Sequence, residues 1–298
     1  MSDVNFEHYK AFYYVAKYQN ITSAAHSLYL SQPSVSRAIA NLEEELNCKL
    51  FIRSQKGATL TPAGERLYKH VSIACKHLFS AAQEVSLMRE NAEIIRLAIS
   101  DAAFDKSIVC KISAFHKLNP EVHLKIENMS TPETIEALHA NTVDMAIVTT
   151  PCIFTYDLAI TELDALNDIA VAGEAFSELK DKELTLAELN KYTLITLEEG
   201  RTTRAFLDRI FKNYGLVMSP DIELASISQV LPLVRSGLGI GFVPERIAEN
   251  DLNEGKIFEV KIKEKIPPRS TCLLTNEEYE LTDVMKSLIG QLADKNDE

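Results

Sequence analysis

The sequence predicts an α/β protein in three parts: an N-terminal helical unit closed by a small hairpin, one long helix, and a larger region of alternating strands and helices. Three observations carry this. Helical apolar spacings run through residues 6–46 and give way to two short β signals around a Gly-containing turn. An apolar spacing of 4, 3, 4, 3, 4, 3 then runs unbroken from Leu67 to Met88. From residue 94 onward, short apolar strands alternate with amphipathic helices, which implies parallel sheet with crossover helices. The expected boundaries are 1–61, 62–91 and 92–298.

In the first part, Phe6 to Gln19 reads as a helix carrying Tyr9, Phe12, Tyr13 and Ala16. A second short helix holds Ser23, Ala24, Ala25, Ser27 and Leu28, whose small residues let two helices cross closely. Tyr29-Leu30-Ser31 makes the turn. Residues 31–37, Ser-Gln-Pro-Ser-Val-Ser-Arg, then open a third helix: Ser31 can cap it, and Pro33 sits in the first turn, where a missing N–H costs nothing. Val35, Ile39, Leu42 and Leu46 form its buried stripe. Pro33, Ser36, Arg37 and Ala40 point away from it, giving the short, polar, singly basic face that a helix entering the major groove needs. Two strand signals, Leu50 to Arg53 and Thr59 to Thr61, flank a basic turn and read as a wing, with Arg53 and Lys56 toward phosphates. The candidate DNA contacts are Ser23, Ser31, Gln32, Pro33, Ser34, Ser36, Arg37, Arg53 and Lys56. Gln32, Ser36 and Arg37 are the candidates for reading base edges.

Residues 6–66 resemble the winged helix-turn-helix of the LysR-type transcriptional regulators. The matching residues are Phe12, Val15, Ala24, Ala25, Leu28, Ser31, Gln32, Pro33, Ser36, Ile39, Leu42, Glu43, Leu46, Leu50, Phe51, Arg53, Leu60, Thr61, Ala63 and Gly64. One departure is Asn47-Cys48, where the family usually has a glycine; Asn tolerates the left-handed conformation that a helix end requires.

The 298 residues carry a formal charge of −12, unusual for a DNA binder, but the charge is split. Residues 1–90 hold 10 Lys+Arg against 8 Asp+Glu, and the remainder holds 21 against 35. The acidic part keeps itself off DNA, and the weakly basic part binds only modestly through phosphates alone, so tight binding calls for a dimer on two half-sites. The start of the chain lacks the blocks of a signal peptide, and no stretch approaches the length of a membrane span, so a cytoplasmic location is expected. Five scattered cysteines (48, 75, 110, 152, 272) without a Cys-x-x-Cys pair fit reduced thiols. His70 and His77 share a helix face with no further ligand beside them. No metal and no cofactor is expected.

Thr61 caps and Pro62 opens the long helix, whose seam is Leu67, Val71, Ala74, Leu78, Ala81, Val85 and Met88. A lone helix cannot bury such a seam. It packs either on its own domain or against a second chain; the resemblance implies the second, hence a homodimer or homotetramer.

The C-terminal pattern predicts strands at Ile94–Ser100, His123–Asn128, Met145–Thr149, Ile169–Ala172, Tyr192–Leu197, Ile222–Ala225, Ile240–Pro244, Ile257–Ile262 and Thr271–Thr275. Helices are predicted near 105–116, from Thr131, and at 202–214, 228–236 and 281–292. Val143-Asp144-Met145-Ala146-Ile147 and the run Val234 to Pro244 resemble the LysR effector domain, which has the two-lobed fold of periplasmic binding proteins. On that plan lobe I spans about 92–161 and 268–298, lobe II about 162–267, with crossovers near 150–161 and 265–269. Ligands in such folds bind between lobes, where strand ends face helix starts. This selects Ser100, Asp101, Ala102, Thr149, Thr150, Thr202, Thr203 and Ser226 as candidate effector contacts, suited to a small carboxylate or polar metabolite. Arg201 and Arg204 are the nearest cations, and surface exposure is expected for each.

Three rivals stand beside an effector-responsive regulator. Thr203-Arg204-Ala205-Phe206 resembles the Thr-Arg-Phe motif of prephenate dehydratases with Ala205 inserted, but no nucleophile–base constellation accompanies it. A cysteine-based redox sensor needs an activated thiol and a resolving partner. A regulator that answers to no ligand is the third.

Overall fold

The structure, a computed structural model, describes residues 5–54, 57–87, 93–152 and 157–294. The chain divides into two compact units, Met1–Glu90 and Asn91–Glu298.

In the first unit α1 (Phe6–Tyr18), α2 (Ile21–Ser27) and α3 (Gln32–Glu45) pack around Phe12, Val15, Ala24, Val35, Ile39 and Leu42, each at most 1% exposed. Burying the Phe, Val, Ile and Leu side chains among these stabilises by about 1.5–3 kcal/mol apiece. Asn20 accepts the Ser23 N–H at 3.0 Å and caps the start of α2. Tyr29 closes α2 in the left-handed conformation (φ +54°), and the Leu30 N–H reaches back to the Ala25 carbonyl. At the end of α3, Asn47 takes the left-handed φ (+49°) that its side chain tolerates. Leu46 departs from the expected stripe: it is the C-cap of α3 and 39% exposed, because the helix ends before the stripe's last position.

Strands β1 (Phe51–Ser54) and β2 (Gly57–Leu60) pair antiparallel as the wing. The long helix α4 (Pro62–Leu87) begins beside it, with Thr61 Oγ1 accepting the Gly64 N–H at 3.0 Å. A Cβ on Gly64 would stand 2.2 Å from the Leu50 carbonyl oxygen, so glycine is what lets α4 press against the wing. The predicted seam on α4 is divided. Val71 is buried and Leu67 half-buried against the unit's own core, whereas Ala74, Leu78 and Ala81 are exposed. The Val85 side chain and Met88 lie outside the described residues.

The second unit holds two sheets. Lobe I has the order β4 (His123–Met129), β3 (Ile94–Ser100), β5 (Met145–Thr149), β13 (Arg269–Asn276), β6 (Leu158–Leu166). Helices α5 (Lys106–Leu118), α6 (Thr131–His139) and α11 (Asp283–Ala293) pack on it. Lobe II has the order β10 (Ile222–Leu224), β9 (Leu194–Leu197), β11 (Ile240–Pro244), β7 (Asp168–Gly173), β12 (Ile257–Ile262), β8 (Glu183–Leu184). It also carries α7 (Leu186–Leu189), α8 (Thr202–Asn213), α9 (Val230–Arg235) and α10 (Glu245–Asn253).

Both sheets are mixed rather than parallel: β13 runs antiparallel to β5 and β6, and β7 runs antiparallel to β11 and β12. A chain that passes from one sheet to another re-enters each from its far end. The first crossover is also later than expected. Residues 158–166 form β6 of lobe I, so the chain leaves that lobe at Asn167 and not before residue 162. The strand escapes a period-two reading because a bulge at Thr271/Cys272 breaks the register, pairing Thr271 with Asp164 but Cys272 with Glu162.

Candidate functional site

The third helix presents a polar face. Ser31, Gln32, Pro33, Ser34 and Arg37 are exposed and Ser36 is half-buried, while Val35 and Ile39 turn inward. Ser31 Oγ accepts the Ser34 N–H at 3.3 Å and lies 2.8 Å from Ser34 Oγ. Ser23 is exposed on α2. Arg53 is placed by its backbone in β1; its side chain and Lys56 lie outside the described residues.

Glu43 ties this helix to the wing. Its carboxylate is 7% exposed and accepts the Leu50 N–H at 2.9 Å, the Phe51 N–H at 3.3 Å and Lys49 Nζ at 2.6 Å. Burial pushes its pKa up, but the Lys49 ammonium and the two backbone donors outweigh burial and hold it below the ordinary carboxylate value. The matching motif contained Glu43 without revealing this role, since an acid near a helix end reads as surface.

In the second unit a narrow cleft lies between the lobes. Ser100, Asp101, Ala102, Ser130, Thr131 and Thr149 line it from lobe I, and Leu197, Arg201, Thr202, Thr203 and Ala225 from lobe II. Ser100 ends β3 and Thr149 ends β5, so strand ends of one lobe face the start of α8 in the other. The two helix starts in the cleft differ. The first turn of α6 is closed by a capping box, with Ser130 and Glu133 exchanging bonds. That of α8 has no side-chain cap, which leaves its first N–H groups available to a ligand. Among the described residues, Ser100 Oγ is buried with no hydrogen-bond partner. A wider opening lies between α5 and the edge strand β4, but its lining is mainly apolar and lacks converging hydroxyls.

Six of the eight residues selected from the sequence line this cleft. Thr150 does not: its hydroxyl accepts the Ser270 N–H at 2.8 Å and joins β5 to β13. Ser226 does not either; it caps the short turn at Ile227–Gln229, and its neighbour Ala225 lines the cleft instead. Asp101 lines the cleft but is already engaged: its carboxylate accepts the Ile227 N–H at 2.5 Å and Asn128 Nδ2 at 3.4 Å, a tie between lobes. Ser130, Thr131, Leu197 and Ala225 were not foreseen, because nothing local distinguishes them from ordinary caps and strand ends.

The arginines also differ from expectation. Arg201 is half-buried at the cleft rim and bonds Glu198 at 3.1 Å. Arg204 is 5% exposed, bonding Asp208 at 3.0 Å, the Leu197 carbonyl at 3.0 Å and the Glu223 carboxylate. It is absorbed in tying α8 to β9 and β10. Burial pushes up the thiols of Cys75, Cys152 and Cys272, that of Cys152 to about 12, opposite to what activates a sensor thiol. Among the described residues no helix is long and apolar enough to cross a membrane.

A winged helix-turn-helix and a two-lobed domain around a hydroxyl-lined cleft define a DNA-binding transcriptional regulator with an effector-binding domain. Residues 6–65 match the family model described as the bacterial regulatory helix-turn-helix protein of the lysR family, and residues 89–297 match the LysR substrate binding domain. The chain belongs to the LysR family. It is similar to the HTH-type transcriptional regulator CysB of Haemophilus influenzae, 31% identical over 230 residues, which cover 75% of this chain and 70% of that protein. It is also similar to the regulator CzcR of Bacillus subtilis, 25% identical, with 94% of each chain covered. Among solved structures, CbnR, a LysR family transcriptional regulator, matches with a TM-score of 0.74 at 18% identity, covering 98% of this chain and 100% of that one. Full-length CbnR complexed with its target DNA gives 0.72 at 18% identity, covering 97% and 99%. At that identity the likeness is one of fold.

Proposed function

We propose that this regulator binds promoter DNA as a dimer or a dimer of dimers and is switched by a small oxyanion, such as a carboxylate, held between its lobes. Gln32, Ser36 and Arg37 of α3 read base edges in the major groove, and Ser34, Arg53 and Lys56 contact phosphates. The exposed Ala74–Leu78–Ala81 face of α4 joins two chains. The effector bridges Ser100 and Thr149 of lobe I to Thr202 and Thr203 of lobe II. In this reading the functional parts are residues 1–61, 62–91 and 92–298, with lobe I extended through β6, and the protein works in the cytoplasm as a binder without catalysis.

One observation carries the effector site: among the described residues, Ser100 Oγ is buried and unpartnered in a cleft whose facing helix start has no side-chain cap. An unpaired buried hydroxyl costs about 1–3 kcal/mol, which a ligand accepting from it would recover. The engagement of Arg204 by Asp208, Glu223 and the Leu197 carbonyl argues against the enzymatic rival, because its guanidinium is already occupied. The redox rival is disfavoured by the raised thiols.

A thermal-shift screen of small carboxylates, amino acids and aromatic acids tests this, followed by calorimetry on Ser100→Ala and Thr149→Val. Both variants weaken the effector and leave ligand-free DNA binding unchanged. Ligand and DNA affinities are coupled reciprocally, by about 1–3 kcal/mol. Full ligand affinity in both variants would place the site elsewhere.

A further inference from the structure

Arg269 opens β13, where the chain re-enters lobe I, and Asp168 opens β7, where it enters lobe II. The two form a bidentate pair, Nε to Oδ2 at 2.5 Å and Nη2 to Oδ1 at 2.6 Å, with the side chains 1% and 0% exposed. The remaining nitrogen, Nη1, lies 3.3 Å from Thr149 Oγ1 and 3.3 Å from Thr203 Oγ1. Phe206 supports the guanidinium, its ring centre 5.0 Å away. Thus one buried arginine touches one cleft threonine from each lobe.

A guanidinium has only donors, so each threonine can only accept from it. A hydroxyl carries one hydrogen, and accepting from Nη1 leaves that hydrogen aimed away from Arg269. Among the described residues neither hydroxyl donates to another group, and both residues line the cleft. We propose that Arg269 is a positioning residue that sets the cleft's polarity: it holds Thr149 and Thr203 as hydrogen-bond donors, so the effector is taken by its acceptor oxygens. This rests on the reading of the cleft as the effector site.

The selection works through hydroxyl orientation and not through a direct ion pair. Arg269 itself is buried beneath the threonines, Asp101 at the rim is held by Ile227 and Asn128, and Arg201 is paired with Glu198. A ligand presenting only N–H groups would compete with Nη1 for the hydroxyl lone pairs, whereas an acceptor oxygen takes the hydrogen that Nη1 leaves free. An oxyanion that accepts from both threonines favours the lobe arrangement in which both stay on Nη1, which gives it a differential affinity for that arrangement.

Sulfate, an oxyanion with acceptors only, is the probe. It is titrated at constant ionic strength into the full-length protein labelled at threonine methyls and followed by NMR. Thr149→Val and Thr203→Val each lower sulfate affinity by about tenfold, the scale of one charge-assisted hydrogen bond. Thr149→Ser and Thr203→Ser, which keep the hydroxyl, restore it. Arg269→Lys weakens sulfate in the parent but adds nothing in the Thr149→Val/Thr203→Val background, because Arg269 acts through those hydroxyls. An arginine with only a structural role would lower both by the same factor, and that result would overturn the proposal. If Arg269→Lys does not fold, the threonine pairs decide: valine and serine variants binding alike would overturn it. Valine variants that bind sulfate as the parent does would overturn this proposal alone, whereas no sulfate binding by the parent would overturn it together with the oxyanion reading of the cleft.

Discussion

The Glu43 carboxylate, near the end of α3, accepts the backbone N–H of Leu50 at 2.9 Å, the residue that leads into the wing. This bond joins α3 to the segment that leads into the wing. Glu43→Gln keeps the shape and loses the charge, so it is expected to destabilise the DNA-binding unit by about 1.5–3 kcal/mol. Hydrogen exchange at the Leu50 and Phe51 amides reads this directly. Unchanged protection would remove Glu43 from the account.

The same group sets a pH dependence. Its folded pKa lies below its unfolded value, so its stabilising contribution is full above the ordinary carboxylate range and is lost as pH falls through the folded value. The stability gap between parent and Glu43→Gln should therefore close in acid. Melting both proteins between neutral pH and pH values below that range checks the sign; a gap that widens would contradict it.

Removing Asp168 would leave the buried Arg269 charge without its bidentate partner. Asp168→Ala is expected to cost about 3–5 kcal/mol in the effector domain. Urea unfolding measures it, and a loss below about 1 kcal/mol, the range of exposed pairs, would show that the hinge pair is dispensable.

Leu78→Glu puts a charge on the exposed face of α4, where Leu78 is 48% exposed in the single chain. Sedimentation at micromolar concentration should show a smaller species than the parent. An unchanged oligomer would move the interface off α4.

Thiol chemistry separates an effector switch from a redox one. Cys110 is exposed, whereas Cys152 and Cys272 are pushed up by burial, Cys152 to about 12. Timed alkylation at neutral pH, read by mass spectrometry, should modify Cys110 well before either. Fast modification of Cys152 would revive the redox rival.

The DNA-binding unit was legible because its signals are local: caps at Ser31 and Thr61, and a stripe at Val35, Ile39 and Leu42 that is buried as spaced. The cleft was legible where strand ends and helix starts mark it, at Ser100, Thr149 and Thr202. What escaped depends on distant partners. Arg269 and Asp168 stand 101 positions apart, and nothing near either announces the pair. Strand β6 was hidden by a bulge that leaves Leu163 without a partner in the register with β13 and so breaks its alternation. Arg204 read as a surface cation because two of its three partners, the Leu197 carbonyl and the Glu223 carboxylate, come from separate strands, β9 and β10.

The central claim is sequence-specific DNA reading by α3, and Arg37→Ala tests it most directly. Duplexes selected by the parent from a random pool, and scrambled versions of them, are titrated with the parent, Arg37→Ala and Arg53→Ala at several salt concentrations. Arg37→Ala should lose about 1–3 kcal/mol on the selected duplex and little on the scrambled one, while Arg53→Ala weakens both alike and lowers the salt slope by about one. Equal losses on both duplexes for Arg37→Ala would contradict base reading by that helix.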